Sequence, residues 1–65
     1  MKITHHKEVN AVYIQFKEDV IDESDEDKNG GMIIDYAADG SVVGIEVLNA
    51  SEKLSFPVQL NYIEV

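Results

Sequence analysis

The sequence predicts a mainly β fold with one short helical element: two antiparallel β-hairpins form a four- to five-stranded sheet, and a helical turn lies near residues 50–54. Two segments alternate large apolar and polar residues, as half-buried strands do. An Asp39-Gly40 pair between two such runs is typical of a tight hairpin turn. With 65 residues, the chain is expected to form one domain over residues 1–65.

The first predicted hairpin lies near the N-terminus. Along residues 11–16 every second residue is large and apolar, namely Val12, Ile14 and Phe16. Ile3 and His5 would share one face of a short preceding strand, and residues 6–10 supply a polar turn.

The second predicted hairpin joins residues 32–36 to residues 43–47 through the turn at Asp39-Gly40. Gly and Asp tolerate the positive φ that tight hairpin turns require. Gly44 within the return strand predicts a bulge or a close approach by another backbone.

The other segments carry weaker patterns. The charged link over residues 18–31 is predicted to be a solvated loop, with a short strand possible only at Val20-Ile21. Residues 49–54 favour one helical turn capped by Asn49 or Ser51. After Pro57 the alternation favours a last strand over a helix.

The charge balance limits the partners of this chain. Thirteen acidic residues oppose five lysines, there is no arginine, and the net charge is −8. Because such a field repels phosphates, we expect no nucleic-acid binding; a basic protein partner or simple solubility explains the charge better. No apolar run reaches the roughly 20 residues of a membrane span. We therefore expect a soluble cytoplasmic protein with no membrane association, and the lack of cysteine fits a reducing compartment.

An acidic run in the link imitates half of a calcium loop. Asp25, Asp27 and Asn29 stand at the first, third and fifth positions of an EF-hand loop, and Gly30 stands at the sixth. The twelfth position, where a bidentate Glu belongs, is Tyr36. Weak divalent-metal binding by the loop Asp25–Gly30 is therefore kept as an alternative, and a plain acidic loop is favoured. Adjacent His5 and His6 would point to opposite faces of a strand and so cannot share one ion.

Catalysis has no candidate residues in the sequence. No serine lies in a nucleophile elbow, no glycine-rich loop carries a lysine for phosphate, and the many surface acids single out no acid/base pair. We expect a protein that is not an enzyme and carries no cofactor.

Apolar residues fall on both faces of the predicted strands. A sheet with two apolar faces must be covered twice, and the expected covers are the C-terminal segment on one side and a second copy of the chain on the other. Self-association is therefore expected, and the candidate interface residues are those opposite the main apolar set: Tyr13, Ile33, Val42 and Leu48.

Three stretches give the chain its resemblance to a family of short microbial proteins called domain of unknown function 2283. They are residues 7–16, 31–36 and 39–51, of which the run from Gly44 to Ser51 is the most specific. Two departures are that His5-His6 replaces the usual Tyr-Asp pair and that Asn10 stands where an Asp is usual. The resemblance implies a small β-rich fold without an assigned activity, and a genomic context beside small toxin-like proteins.

Together these observations predict a non-enzymatic protein-interaction module, homodimeric, that binds a basic, toxin-like protein partner. The alternative is the weak metal-binding protein described above.

Overall fold

A computed structural model describes all 65 residues and contains five strands and two short helical elements. The elements in chain order are β1 (Lys2–His6), a 3-10 turn (Lys7–Val9), β2 (Ala11–Gln15), β3 (Glu23–Glu26), β4 (Met32–Tyr36), β5 (Val42–Leu48) and α1 (Ala50–Lys53). The predicted mainly β fold is confirmed, and so is the helical turn near residues 50–54.

The strands form a single antiparallel sheet in the order β1-β2-β5-β4-β3. Both predicted hairpins are present, β1–β2 and β4–β5. Gly40 takes a φ of 87° in the second turn, and its amide donates to the Ala37 carbonyl oxygen at 2.9 Å. The register shifts between Asp35 and Tyr36, so this hairpin carries an irregularity next to its turn.

The acidic link holds a strand that the sequence does not predict. Glu23–Glu26 forms β3, which pairs with β4 and leads into a turn closed by a 2.9 Å hydrogen bond from the Asp27 amide to the Met32 carbonyl oxygen. The prediction of a solvated loop was therefore wrong here, and residues 20–21 form no strand. Charged residues suit β3 because it lies at the sheet edge with all four side chains exposed.

The predicted last strand is also absent, since residues 55–65 form no regular element. The segment instead meets the β1 end of the sheet, where the Phe56 ring stacks on His5 with ring centroids 4.3 Å apart. Pro57 lacks an amide to donate to a strand ladder. Most of its later apolar side chains remain exposed, namely Leu60, Tyr62, Ile63 and Val65.

The core is small and lies between the sheet and α1. Val12, Val47 and Ala50 are buried together, and partly buried side chains surround them: Ile3, Ile14, Ile45 and Leu54. Only eight of the 65 residues are buried in all.

Helix α1 is held in place by Asn10, which is 41 positions away from Ser51 along the chain. The Asn10 carbonyl oxygen accepts from the Ala50 amide at 2.9 Å, and Oδ1 accepts from the Ser51 amide at 3.1 Å. Neither predicted cap is used, because Asn49 makes no capping hydrogen bond with its side chain and Ser51 lies within the helix. No helix in the structure is long and apolar enough to cross a membrane.

Candidate functional site

The two faces of the sheet differ in character, because paired residues on neighbouring antiparallel strands share a face. One face, here called the isoleucine face, carries a continuous cross-strand row in which each side chain is the register partner of the next: Ile3, Ile14, Ile45 and Ile34. The opposite face, here called the polar face, carries Tyr13, Glu46, Gly44 and Asp35 on the three middle strands.

The isoleucine row is only half covered. Helix α1 packs over the neighbouring row, which contains Val12 and Val47, whereas all four isoleucines remain half-buried. Phe16 extends the same face beyond β2, pairs with Val43 through a 2.8 Å hydrogen bond, and is 41% exposed. The row ends at the β3 edge in Asp25, the register partner of Ile34. At the β1 end of this face the C-terminal segment lies beside the row, where Ile3 and Phe56 line one groove. The least covered part of the face is therefore around Ile34 and Phe16.

The polar face is organised around the buried carboxylate of Asp35. Its Oδ2 accepts a hydrogen bond from the Tyr13 hydroxyl at 2.9 Å, and its Oδ1 accepts one from Ser24 Oγ at 2.6 Å. Asp35 is only 9% exposed, so these two donors replace the water that it loses. The three residues come from β2, β4 and β3.

Gly44 makes room for this arrangement. It lies on β5, between Gln15 of β2 and Asp35 of β4. A Cβ at this position would collide with the Tyr13 hydroxyl oxygen and come within 2.8 Å of the Ile14 carbonyl oxygen. The predicted close approach at Gly44 is therefore present, and it involves a side chain as well as the backbone.

The environment keeps Tyr13 protonated. Burial raises the pKa of its phenol above the ordinary 10.0, and the hydrogen bond to Asp35 and the negative charges of Asp35 and Glu46 raise this pKa further.

The groups around Asp35 serve to hold strands together. Ser24 donates to the same carboxylate, and both histidines lie on β1 at the far edge of the sheet. Neither Asp35 nor Glu46 lines any of the four surface grooves. The cluster therefore ties three strands together.

The interface residues suggested by the sequence do not form one patch. Tyr13 is held by Asp35, Ile33 and Leu48 lie half-buried on the polar face, and Val42 stands at the register shift opposite Tyr36. Their role as an interface stays a prediction. The isoleucine face offers a more continuous apolar surface.

The metal-site candidates are divided between a strand and a turn. Asp25 lies within β3, whereas Asp27 and Asn29 lie in the following turn, where Gly30 takes a φ of 70°. No three or more His, Asp or Glu side chains are placed to hold a metal ion together. Binding by the loop Asp25–Gly30 stays a prediction without a geometric argument of its own.

The β3 edge is the most acidic open edge of the sheet. Since Asp27 and Met32 form a hydrogen-bonded pair, the alternation of an antiparallel ladder directs the backbone groups of Ser24 and Glu26 away from β4 and towards solvent. Exposed carboxylates lie beside these free backbone groups, on Glu23, Asp25 and Glu26.

The comparisons with known proteins give one match. A family model described as a protein of unknown function, DUF2283, matches residues 2–51 of the 65-residue chain. The chain belongs to the DUF2283 family. Neither a curated protein nor a solved structure matches it.

The DUF2283 match covers all five strands and ends within α1. Asn10, Tyr13, Asp35 and Gly44 therefore lie inside the family region, whereas the exposed segment 55–65 lies outside it. The match confirms the resemblance stated from the sequence and assigns no activity.

Proposed function

We propose that this DUF2283 protein is a non-enzymatic, cytoplasmic protein-interaction module that acts through its open sheet. The observation that supports it best is the isoleucine face around Ile34, where Ile34 is half-buried and Phe16 is exposed beside a core of very few residues. Contiguous apolar surface of this kind marks contact sites on proteins.

The total surface area supports a contact function for the chain as a whole. The accessible surface is 5163 Å², whereas a folded chain of 7.3 kDa is expected to expose about 4,200 Å². The exposed apolar side chains of the segment 55–65 contribute to this excess of about 1,000 Å², which is comparable to the roughly 800 Å² that each partner buries in a standard interface.

Site-specific photo-crosslinking tests whether this face contacts protein. A photoreactive phenylalanine analogue at Ile34 on the isoleucine face is compared with one at Ile33, its neighbour on the polar face, in native lysate. We expect crosslinked protein from position 34 and little from position 33. Equal yields from both positions, or none from position 34, would contradict the proposal.

A basic partner is proposed for the β3 edge. An extended segment can add to an open strand edge through main-chain hydrogen bonds, and lysines along it would face Glu23, Asp25 and Glu26. The net charge of −8 would also draw a basic partner in at long range.

The probe for this contact is a synthetic peptide of alternating lysine and valine. In amide-resolved NMR we expect the signals of Ser24 and Glu26 to shift on addition of the peptide. The E23Q/D25N/E26Q variant, which lacks the three carboxylates, should bind the peptide far more weakly than wild-type protein. A second peptide with alternate amides methylated, which cannot donate main-chain hydrogen bonds, should bind wild-type protein far more weakly than the first. Equal binding by both proteins, or shifts confined to other strands, would exclude recognition through this edge.

A further inference from the structure

We infer that Asn29 is a site of spontaneous chemical modification, at which the side-chain amide is lost and the turn between β3 and β4 is lengthened. Asn29 is exposed in this turn and is followed by Gly30, and no other asparagine in the chain precedes a glycine. Because glycine has no Cβ, its backbone nitrogen can approach the preceding side chain closely. The only other reactant is water.

The chemistry is an attack by a backbone nitrogen on a side-chain carbonyl carbon. The Gly30 nitrogen gives up its proton and bonds to Cγ of Asn29, the Cγ–Nδ2 bond breaks, and Nδ2 takes up a proton and leaves as ammonia. Water then opens the resulting cyclic imide at either of its carbonyl carbons. One product is an aspartate at position 29. The other is an isoaspartyl linkage, in which the main chain runs through Cβ and Cγ.

The structure of the turn opposes this attack only weakly. The Gly30 amide donates to the Asp27 carbonyl oxygen at 2.8 Å, and this bond must open before the nitrogen can turn towards the Asn29 side chain. The net strength of one such bond slows the reaction only about fivefold relative to an unfolded chain. No packing restrains Gly30, because even a Cβ at this position would meet no other atom within 4 Å.

The other three asparagines of the chain lack this combination of features. The Asn10 side chain is held by Ser51 through hydrogen bonds of 3.0 and 3.1 Å. Asn49 precedes Ala50, which is fully buried and whose amide donates to the Asn10 carbonyl oxygen at 2.9 Å. Asn61 is exposed, but no glycine follows it. Reaction is therefore expected at Asn29 before the others.

Asp39-Gly40 is the comparable pair in the other hairpin, since an aspartate can form the same imide by losing water. The Asp39 carboxylate accepts hydrogen bonds from the hydroxyl and the amide of Ser41, at 2.6 and 2.9 Å. These bonds, and then the charge of Lys17, hold the pKa of Asp39 below its ordinary value. An ionised carboxylate resists attack by a nucleophile, so this second turn should keep its main chain.

The modification affects β3 because this turn fixes β3 against its only partner strand, β4. All four side chains of β3 are exposed, so packing does not hold the strand in place. An isoaspartyl linkage puts an extra backbone atom into the turn, which should weaken the 2.9 Å hydrogen bond from the Asp27 amide to the Met32 carbonyl oxygen. As the protein ages, β3 should loosen and the peptide contact proposed for this edge should weaken. The modification itself does not depend on that contact.

Peptide mapping by mass spectrometry tests the modification on purified protein aged at mildly alkaline pH. We expect the deamidation mass increase at Asn29, and none at Asn10, Asn49 or Asn61 over the same period. The rate in folded protein should lie within about tenfold of the rate in urea-unfolded protein. A folded rate lower than this, or equal reaction at Asn61, would overturn the inference.

Amide hydrogen exchange tests the effect on β3, with the isoaspartyl form separated from unmodified protein by ion exchange. We expect faster exchange of the Asp27 amide in the isoaspartyl form, while the Ala37 amide, which donates to Ser41 in the other hairpin, stays unchanged. The N29Q variant, aged in the same way, should exchange like fresh wild type.

Fresh N29D protein is the control for charge, since it gains the carboxylate without the extra backbone atom. It should exchange like fresh wild type at Asp27. Equal exchange in the isoaspartyl form and in fresh wild type would overturn the effect on β3. Equally fast exchange in N29D and in the isoaspartyl form would overturn the lengthened turn as its cause.

Discussion

The Tyr13 hydroxyl donates a 2.9 Å hydrogen bond to Asp35 across an intervening strand. The two residues are 22 positions apart in the chain and lie on β2 and β4, with β5 between them. The bond spans β5 because Gly44 presents no side chain at the crossing point. A single hydrogen bond therefore joins β2 to β4 over the middle strand β5 on the polar face.

Removing this hydroxyl is expected to weaken the fold. Y13F leaves Ser24 as the only side-chain donor to the buried Asp35 carboxylate, so the free energy of unfolding should fall by about 1.5 kcal/mol. Urea denaturation measures the change. The matched control is Y62F, which removes a hydroxyl from a side chain that is 84% exposed and should change stability by less than about 0.5 kcal/mol. Equal effects of the two variants would contradict the role given to Tyr13.

The same tyrosine should make stability depend on alkaline pH. Its folded-state pKa is raised above 10.0, mainly by burial and then by the Asp35 hydrogen bond and the charges of Asp35 and Glu46. A raised folded pKa stabilises the protein below the unfolded pKa, and the contribution is lost as pH rises through the folded pKa. The difference in unfolding free energy between wild type and Y13F should therefore shrink above about pH 10. A difference that stays constant from pH 8 to 11 would contradict this.

Gly44 is expected to tolerate no side chain. In G44A the new Cβ would meet the Ile14 carbonyl oxygen at 2.8 Å as well as the Tyr13 hydroxyl, and the backbone of β2 cannot move aside without disturbing the ladder. We expect a loss of about 2 kcal/mol in thermal or urea unfolding. The control is G31A, whose Cβ would meet only the flexible end of the Lys53 side chain, at 3.2 Å. Similar losses in both variants would show that Gly44 matters for another reason.

Asn10 has two functions that substitutions can separate. Its backbone takes a positive φ of 52°, and its side chain makes two hydrogen bonds to Ser51. N10G keeps the φ and loses the side-chain bonds, so it should lose about 1 kcal/mol. N10A adds backbone strain and should lose at least about 1 kcal/mol more.

The N10D variant completes this series. An aspartate accepts from both the amide and the hydroxyl of Ser51, so N10D should stay within about 0.5 kcal/mol of wild type. This expectation agrees with the resemblance to the DUF2283 family, in which an Asp is usual at position 10. A large loss in N10D alone would mean that the amide group of Asn10, as a donor, is essential.

Salt should affect the self-association expected from the sequence and the proposed contact at β3 in opposite directions. Two acidic copies repel at long range, so raising the salt from 0.01 to 0.15 M, which shortens the Debye length from about 30 to about 8 Å, should tighten the dimer. The attraction of a basic peptide to β3 should weaken over the same range. Sedimentation and peptide titration measure the two effects. A dimer that weakens with salt would indicate that charge pairing, not apolar contact, holds it.

Local patterns in the sequence were enough for two of the three hairpins. Val12, Ile14 and Phe16 marked β2, and Asp39-Gly40 marked the turn between β4 and β5. The strand β3 was missed because its four residues carry three acids and no apolar side chain. It exists because the free edge of β4 lies beside it, which is a tertiary condition.

The candidate site was predictable only in outline. Tyr13 drew notice because it lies opposite the apolar side chains of its strand, but its partner Asp35 belongs to a distant segment. The isoleucine row needed the register of four strands, although each isoleucine was visible as part of an alternating run. Asn10 was noted only as a departure from the family pattern, and nothing local pointed to its contact with Ser51.

The alternation and turn residues of the chain suffice for its β class, for two hairpins and for its acidic, cysteine-free character, because these depend on neighbours a few positions apart. Strand order and register decided the rest. They placed four isoleucines in one cross-strand row, brought Tyr13 to Asp35 over Gly44, and turned a charged link into an edge strand. The physical reason is that pairing across a sheet joins residues far apart in sequence, and a contact of that kind leaves no local signal.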